Sequence, residues 1–446
     1  MPIPQPEAEA KATQPLLARV RLATRAVRHR NFRLFLSGQF LSLIGTWVQT
    51  LAQSWLVYRL SHSPVMLGLV GFAGQMPYLL LSPIAGVAAD RMNRRNLILL
   101  AQVLAMVQAL LLAALTLTGV VQVWHVFFLA MTLGIVGVFD MTGRQSFLVE
   151  MVGKEDLMNA IALNSTVYNS GRILGPAVAG VLVAVIGEGW CFVVNAASFL
   201  GIIIGLLMMR VPPAAQREEF ASHWEHFREG WNYVWSHAPS RTLLLLLGLT
   251  SVMNYPFLVL MPVFADNILH GGPKALGLLM SSTGVGAILG ALYMATRTGV
   301  RGLSRTITLS TITYSVALVL FAFSRNLHLS MLWLVPVGFG LMVSVAGTNT
   351  TLQTIVPDAL RGRVVGFYGM MFVGMAPIGS LLAGWLGGLI GADFTVAFGA
   401  VVCIAGALVF NRKRIVVRAA LRQVMEQQAE GFPVPVPVTR ANEDGQ

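Results

Sequence analysis

Long apolar runs alternate with short polar breaks along almost the whole chain. About 20 consecutive apolar residues carry a helix across the hydrocarbon core of a bilayer. On that measure the pattern predicts twelve spans, at 32–58, 66–89, 97–118, 124–148, 159–185, 190–210, 241–266, 275–297, 305–323, 330–352, 363–390 and 393–411. Most gaps are a few residues long, which makes consecutive spans antiparallel neighbours. The one long interior gap, 211–240, divides the spans six and six. In it Phe220, Trp224, Phe227, Trp231 and Val234 recur at helical spacing among glutamates and arginines. That pattern predicts an amphipathic helix lying in the lipid headgroups and tethering the two halves. Segment 415–430 repeats it more weakly, and the Pro-Val run at 433–438 reads as extended chain.

Composition narrows the class. Of 446 residues, 55% are hydrophobic and 11% charged. A soluble domain carries about 25% charged residues, so this chain cannot wet the surface of a soluble globule, and it is far too apolar for disorder. Two cysteines, Cys191 and Cys403, form neither a disulfide framework nor a metal-ligand set.

The formal charge is +12, yet the basic residues do not form one patch as in a nucleic-acid binder. About 26 of the 31 lysines and arginines fall in connections on one side, and the other side holds Arg59, Lys274 and Arg325. The positive-inside rule makes the basic side cytoplasmic, with both termini there. Residues 1–31 lack an apolar core and read as a basic cytoplasmic tail rather than a signal peptide.

The halves repeat. A shift of 204 positions carries Gly68, Gly86, Gly134, Gly143, Gly175, Gly180 and Gly187 onto Gly272, Gly290, Gly338, Gly347, Gly379, Gly384 and Gly391. The expected fold is an all-α polytopic membrane protein of two pseudo-symmetric six-helix bundles, 32–210 and 241–411. The linker 211–240 joins them, and a cytoplasmic tail follows at 412–446. In parallel repeats of this kind substrate sits between the halves near the midplane, and the halves rock.

Between spans 2 and 3 lies Gly86-Val-Ala-Ala-Asp90-Arg91-Met-Asn-Arg94-Arg95. This run resembles the G-x-x-x-D-R-x-x-R-R signature of the major facilitator superfamily, in the expected loop. The resemblance implies a twelve-helix transporter. Gly86 would permit close helix approach, and Asp90 would favour the N-terminal end of a neighbouring helix. Arg91, Arg94 and Arg95 would bridge to nearby acids, with Glu150 at the family's acidic position on span 4, and so latch the halves on the cytoplasmic side. The plainer alternative is that these arginines only enforce topology.

Gly171-Arg172-Ile-Leu-Gly175-Pro176-Ala-Val-Ala-Gly180 in span 5 resembles the antiporter signature G-x-x-x-G-P-x-x-G-G, with Ala179 replacing one glycine. In that branch this helix is taken to seal the outer side, which favours export. Asp140–Ser165 and Val356–Val364 resemble the bacterial enterobactin-exporter and macrolide-efflux branch, a likeness covering about residues 28–412. It implies a mechanism and not a cargo.

Charges within the hydrocarbon are costly and mark functional candidates. Asp140, Arg144 and Arg172 lie within spans, and Asp140 and Arg144 share a helix face. Asp140 either exchanges a proton as its arginine partnership changes, or forms a static pair that pins two helices. Gln49, Gln53, Gln75, Tyr78, Asn164, Tyr168, Asn254, Tyr255, Met371 and Phe372 are candidate cavity-lining residues, a mixture suited to a bulky amphiphile.

No phosphate-binding loop, metalloprotease or serine-hydrolase motif is present, so no cofactor and no enzymatic activity are expected. The reading is a monomeric secondary transporter of the bacterial inner membrane, exporting a small amphiphile such as a siderophore or drug against protons. The alternatives are an importer, a lysophospholipid flippase, or a transport-inactive sensor.

Overall fold

The computed structural model describes residues 25–153, 155–209, 223–297 and 299–429; Phe220 and the side chains of Asp90, Arg172, Trp224, Phe227 and Tyr255 lie outside the described set. Among the described residues there is no strand. The first half runs α1 (Arg30–Ser61), α2 (Pro64–Arg91), α3 (Arg94–Leu117), α4 (Val123–Val152) and α5 (Leu157–Met208). After the linker helix α6 (His223–Ser236) come α7 (Ala238–Val259), α8 (Gly272–Thr296), α9 (Leu303–Ala322), α10 (Leu327–Ile355), α11 (Asp358–Phe372), α12 (Ala376–Ile390) and α13 (Ala392–Ala429). Helices start where the chain supplies a cap. Asn93 accepts from the Asn96 amide at 3.3 Å, and Asn326 from those of His328 and Leu329 at 3.0 and 3.2 Å.

Among the described residues, eleven helical stretches are long and apolar enough to cross a membrane. The remaining predicted span, 159–185, is the first arm of α5. That helix has 52 residues and would be about 78 Å long if straight, far more than a bilayer core. It breaks at Gly187, whose φ of 77° and ψ of 169° are open only to glycine. Two sets of contacts show that the chain reverses there. Gly171 faces Leu43 and Gly175 faces Trp47, so the first arm runs parallel to α1. Gly38 faces Gly201 and Ile202 while Gly45 faces Asn195 and Ser198, so the second arm runs antiparallel to it. Gly391, the repeat partner of Gly187, has nearly the same backbone (φ 87°, ψ 161°) and turns α12 into α13.

The first bundle is built by α1 against both arms of α5, α2 against α4, and α3 against α4 and α5. In the second, α8 and α9 pack on α10, and α7 and α9 pack on α13. Each bundle carries a buried polar knot on corresponding helices. The Gln49 amide donates to Gln108 Oε1 at 3.0 Å and accepts from Asn195 Nδ2 at 2.6 Å. Asn254 donates to the Tyr314 hydroxyl at 2.8 Å and accepts from the Cys403 thiol at 3.6 Å. Gln49 and Asn254 were expected on a cavity wall. Instead both are buried, and their polar atoms hold three helices together because an unpaired amide there is costly.

Three other expectations change. Span 11, expected at 363–390, is present as the stretch Leu360–Ile390, but its helix breaks at 373–375 between α11 and α12. Pro377 has no amide hydrogen to carry the ladder across, and Gly374 lowers the helical preference further. Span 12 does not end at 411, because α13 continues to Ala429 and buries Val417, Leu421 and Val424. The linker helix forms, but it docks on protein rather than only on headgroups. Val234 is buried with Val364, Phe367, Val417 and Leu421, Glu229 pairs with Arg363, and the Trp231 ring lies 6.0 Å from that of Phe367. Trp231 and Trp235 still face outward.

Candidate functional site

The halves meet at the end opposite the basic loops. There Gly180 on α5 lies directly against Gly277 on α8, and Gly68 on α2 against Gly384 on α12. A methyl group at Gly68 would come within 2.7 Å of the Gly384 Cα, and one at Gly180 would run into Gly277. Small residues let backbones approach this closely. The buried Ser380 side chain completes the contact beside Gly71. Towards the basic end, among the described residues, the glycines of α2 and α11 are not in such contacts. Gly86 on α2 and Gly362, Gly366 and Gly369 on α11 have no neighbour within 4 Å of a Cβ position. The halves are therefore in backbone contact at the end opposite the basic loops.

Asp140 and Arg144 sit on α4, one turn apart, and form an ion pair with Nε of Arg144 2.7 Å from Oδ2 of Asp140. Gln102 on α3 donates to the other carboxylate oxygen at 2.9 Å. The Arg144 guanidinium carbon stands 5.4 Å from the centre of the Phe35 ring on α1, a cation–π contact, and Phe35 packs edge-on against Phe147. The Tyr78 hydroxyl from α2 lies against Gly137, where any side chain would displace it. Tyr78 is within electrostatic reach of Asp140, and Tyr168, from the first arm of α5, of both Asp140 and Arg144. Five helical arms thus converge on one charge pair. Two of them, α2 and the first arm of α5, make the larger contacts with the second bundle.

Among the other expected wall residues, Tyr168 is exposed and Gln53, Gln75, Asn164, Met371 and Phe372 are half-buried. The Asn164 carbonyl oxygen has no partner among the described residues, the Met371 sulfur lies against Gly248, and Phe372 stacks on Tyr368. Tyr255 and Arg172 contribute no described side chain.

At the basic end, Arg94 on α3 donates to Glu150 on α4 at 2.5 Å and to the Ser146 carbonyl at 3.3 Å. Both partners belong to the first bundle. Arg95 was expected in an acidic latch. It instead donates to the carbonyls of Leu206 and Leu207 at 2.6 and 3.0 Å, capping the C-terminal end of α5, where unsatisfied carbonyls attract a cation. Arg91 is exposed, and the Asp90 side chain lies outside the described set. Arg25 and His29 both engage Asp156, at 3.0 and 2.9 Å, tying the turn before α1 to the α4–α5 connection.

Sequence reasoning missed Gln102, Phe35 and the glycines opposite Gly180 and Gly68. A lone amide inside a strongly apolar span was the available signal for Gln102. Gly384 was visible as the repeat partner of Gly180, but only the tertiary structure shows Gly68 as its neighbour.

Pseudo-symmetric helical bundles closed over a central seam define a polytopic membrane transporter of the major facilitator type. Solved structures share this fold. A crystal structure of the nucleoside transporter NupG aligns over 86% of this chain and 98% of its own, with a TM-score of 0.66 at 15% identity. A bacterial homologue of the human lysosomal transporter Spinster aligns over 93% and 99%, with a TM-score of 0.61 at 14% identity. Residues 23–442 match the family described as Transmembrane secretion effector, and the chain belongs to that family of the major facilitator superfamily.

Curated relatives include the multidrug efflux pump Tap of Mycolicibacterium fortuitum, 29% identical over 79% of this chain and 88% of the relative. The staphyloferrin A transporter of Staphylococcus aureus is 26% identical over 85% and 96%. The enterobactin exporter EntS of Shigella boydii is 27% identical over 81% and 86%. The protein is a membrane-embedded transporter of a small molecule and not an enzyme.

Proposed function

We propose that this protein exports a small amphiphilic compound from the bacterial cytoplasm in exchange for protons, by alternating access between its two bundles. It acts as a monomer in the inner membrane, with the basic end and both termini cytoplasmic. The observation that carries the reading is the Asp140–Arg144 pair on α4, held inside an apolar bundle beside α2 and the first arm of α5, which meet the other half. A carboxylate separated from its cation in a low dielectric takes up a proton. Movement that parts Asp140 from Arg144 therefore binds a proton, and movement that rejoins them releases it. Names among the relatives support efflux over uptake, with drug and siderophore exporters among them.

In this reading Gly171, Gly175, Pro176 and Gly180 shape the outer seal. Asp90, Arg91, Arg94 and Glu150 hold the cytoplasmic side closed in the opposite state, and Arg172 assists the coupling pair.

The test has two steps. The compound that accumulates in cells lacking the gene is identified, and proteoliposomes loaded with it are given a pH gradient. Wild-type protein is expected to empty them. Asp140→Asn is expected to fold and to lose gradient-driven efflux; unchanged efflux would remove the proton from the mechanism.

A further inference from the structure

Arg144 presents more donors than its partner uses. A guanidinium carries five N–H groups, and Asp140 accepts from Nε. Among the described residues no acceptor bonds to either terminal nitrogen of Arg144. Neither nitrogen is among the fully buried side-chain atoms left without a partner, so both keep access to the space beside the pair, whereas an arginine kept only to pin helices is expected to have its donors satisfied. The side chain is 9% exposed, so the fork is not sealed off. Phe35 covers one face of the guanidinium, and the aromatic rings of Tyr78 and Tyr168 approach the same pair from α2 and α5. Phe35 is buried behind the guanidinium, so the open side is a positive, planar fork flanked by the two phenols, which matches a planar oxyanion attached to an aromatic body.

We propose that the terminal nitrogens of Arg144 receive the carboxylate of an aromatic amphiphile, in competition with Asp140 for the same cation. The proposal rests on the reading that cargo passes between the bundles, and it names the cargo's charge class. It also joins cargo to coupling ion: a carboxylate that draws Arg144 from Asp140 leaves that acid to take up a proton.

The test is equilibrium binding of naphthoate, an aromatic carboxylate, and of naphthamide, its uncharged counterpart, to the purified full-length protein. Wild type is expected to bind naphthoate about tenfold more tightly than naphthamide, the scale of one charge-assisted contact. Arg144→Gln is expected to abolish that preference. Arg144→Lys keeps the charge without the fork and is expected to retain only part of it. Asp140→Asn is expected to tighten naphthoate by about threefold or more and leave naphthamide unchanged, because the competitor is gone.

The Asn variant keeps the proposal testable even where Arg144→Gln fails to fold. Equal affinity for the two probes in wild type, no saturable naphthoate binding, or naphthoate affinity unaltered by Asp140→Asn would each overturn it. Binding and efflux fail separately. Selective binding without gradient-driven efflux sinks the proton exchange, whereas gradient-driven efflux without selective binding sinks the anion site.

Discussion

Gln49 uses both ends of its amide inside the first bundle, bridging Gln108 and Asn195 across three helices. A residue lining a cavity would lose little stability when made apolar. Gln49→Leu instead orphans a carbonyl oxygen and an amide donor, and is expected to cost about 1–3 kcal/mol. A lowered midpoint of thermal unfolding in detergent, with transport selectivity unchanged, is the expected result; an unshifted midpoint would return Gln49 to the cavity wall. From sequence alone, an amide on a span is equally compatible with wall and knot, because periodicity assigns a face but not its neighbour. Asp140 and Arg144 were legible for the opposite reason: a charge in hydrocarbon needs a partner, and the four-residue spacing supplied one.

At the scale of the element, the linker helix is the clearest departure. Helical spacing made α6 legible. Its docking was not, since the face that pairs with Phe367 and Arg363 is set by where α11 lies. The break at 373–375 had visible signals in Gly374 and Pro377, outweighed by the continuous apolar run around them. At the end of α6 the docked surface holds two titratable rings. Tyr233 stacks on His237 with ring centres 5.0 Å apart, and burial pushes the Tyr233 phenol up to about 12. Nδ1 of His237 lies 2.8 Å from the Ser240 hydroxyl, and burial lowers this histidine below its ordinary value.

The undocked form therefore binds a proton more readily than the docked one. Docking is intact above the ordinary histidine value of about 6.5 and weakens as pH falls from there through the lowered value. Protection of the α6 amides, taken as exchange relative to the intrinsic rate at each pH, is expected to fall as pH drops below about 6.5, and His237→Phe to flatten that dependence. Protection unchanged across the range would show that the histidine does not hold the helix. Gly230→Leu, which forces a side chain into Phe367 and the Arg363 stem, is expected to release α6 at every pH.

At the scale of the whole molecule, the repeated apolar spans were legible, eleven of the predicted twelve meeting the length and apolarity of a crossing among the described residues, because length and apolarity are one-dimensional properties. Which end is closed was not, since that depends on contacts between helices far apart in the chain. The closed end rests on two glycine crossings, Gly180 with Gly277 and Gly68 with Gly384. The crossings pair equivalent helices of the two halves, α5 with α8 and α12 with α2, so the seal carries its load at two places. Adding bulk at one of them acts on the equilibrium between closed and open. Gly180→Val places a branched side chain where the Gly277 backbone stands, and the bundles must part at that end to admit it.

The expected outcome is greater maleimide labelling of single cysteines placed along α8 near Gly277, together with slower net efflux. Asp90→Asn, if Asp90 holds the basic end, shifts labelling the other way, towards cysteines at the basic end. Combining the two substitutions is expected to bring the populations back towards the wild-type ratio, because each removes stability from a different state. Labelling that rises at both ends at once would mean that the substitutions loosen the bundles rather than tilt them, and would remove the two crossings from the gating mechanism.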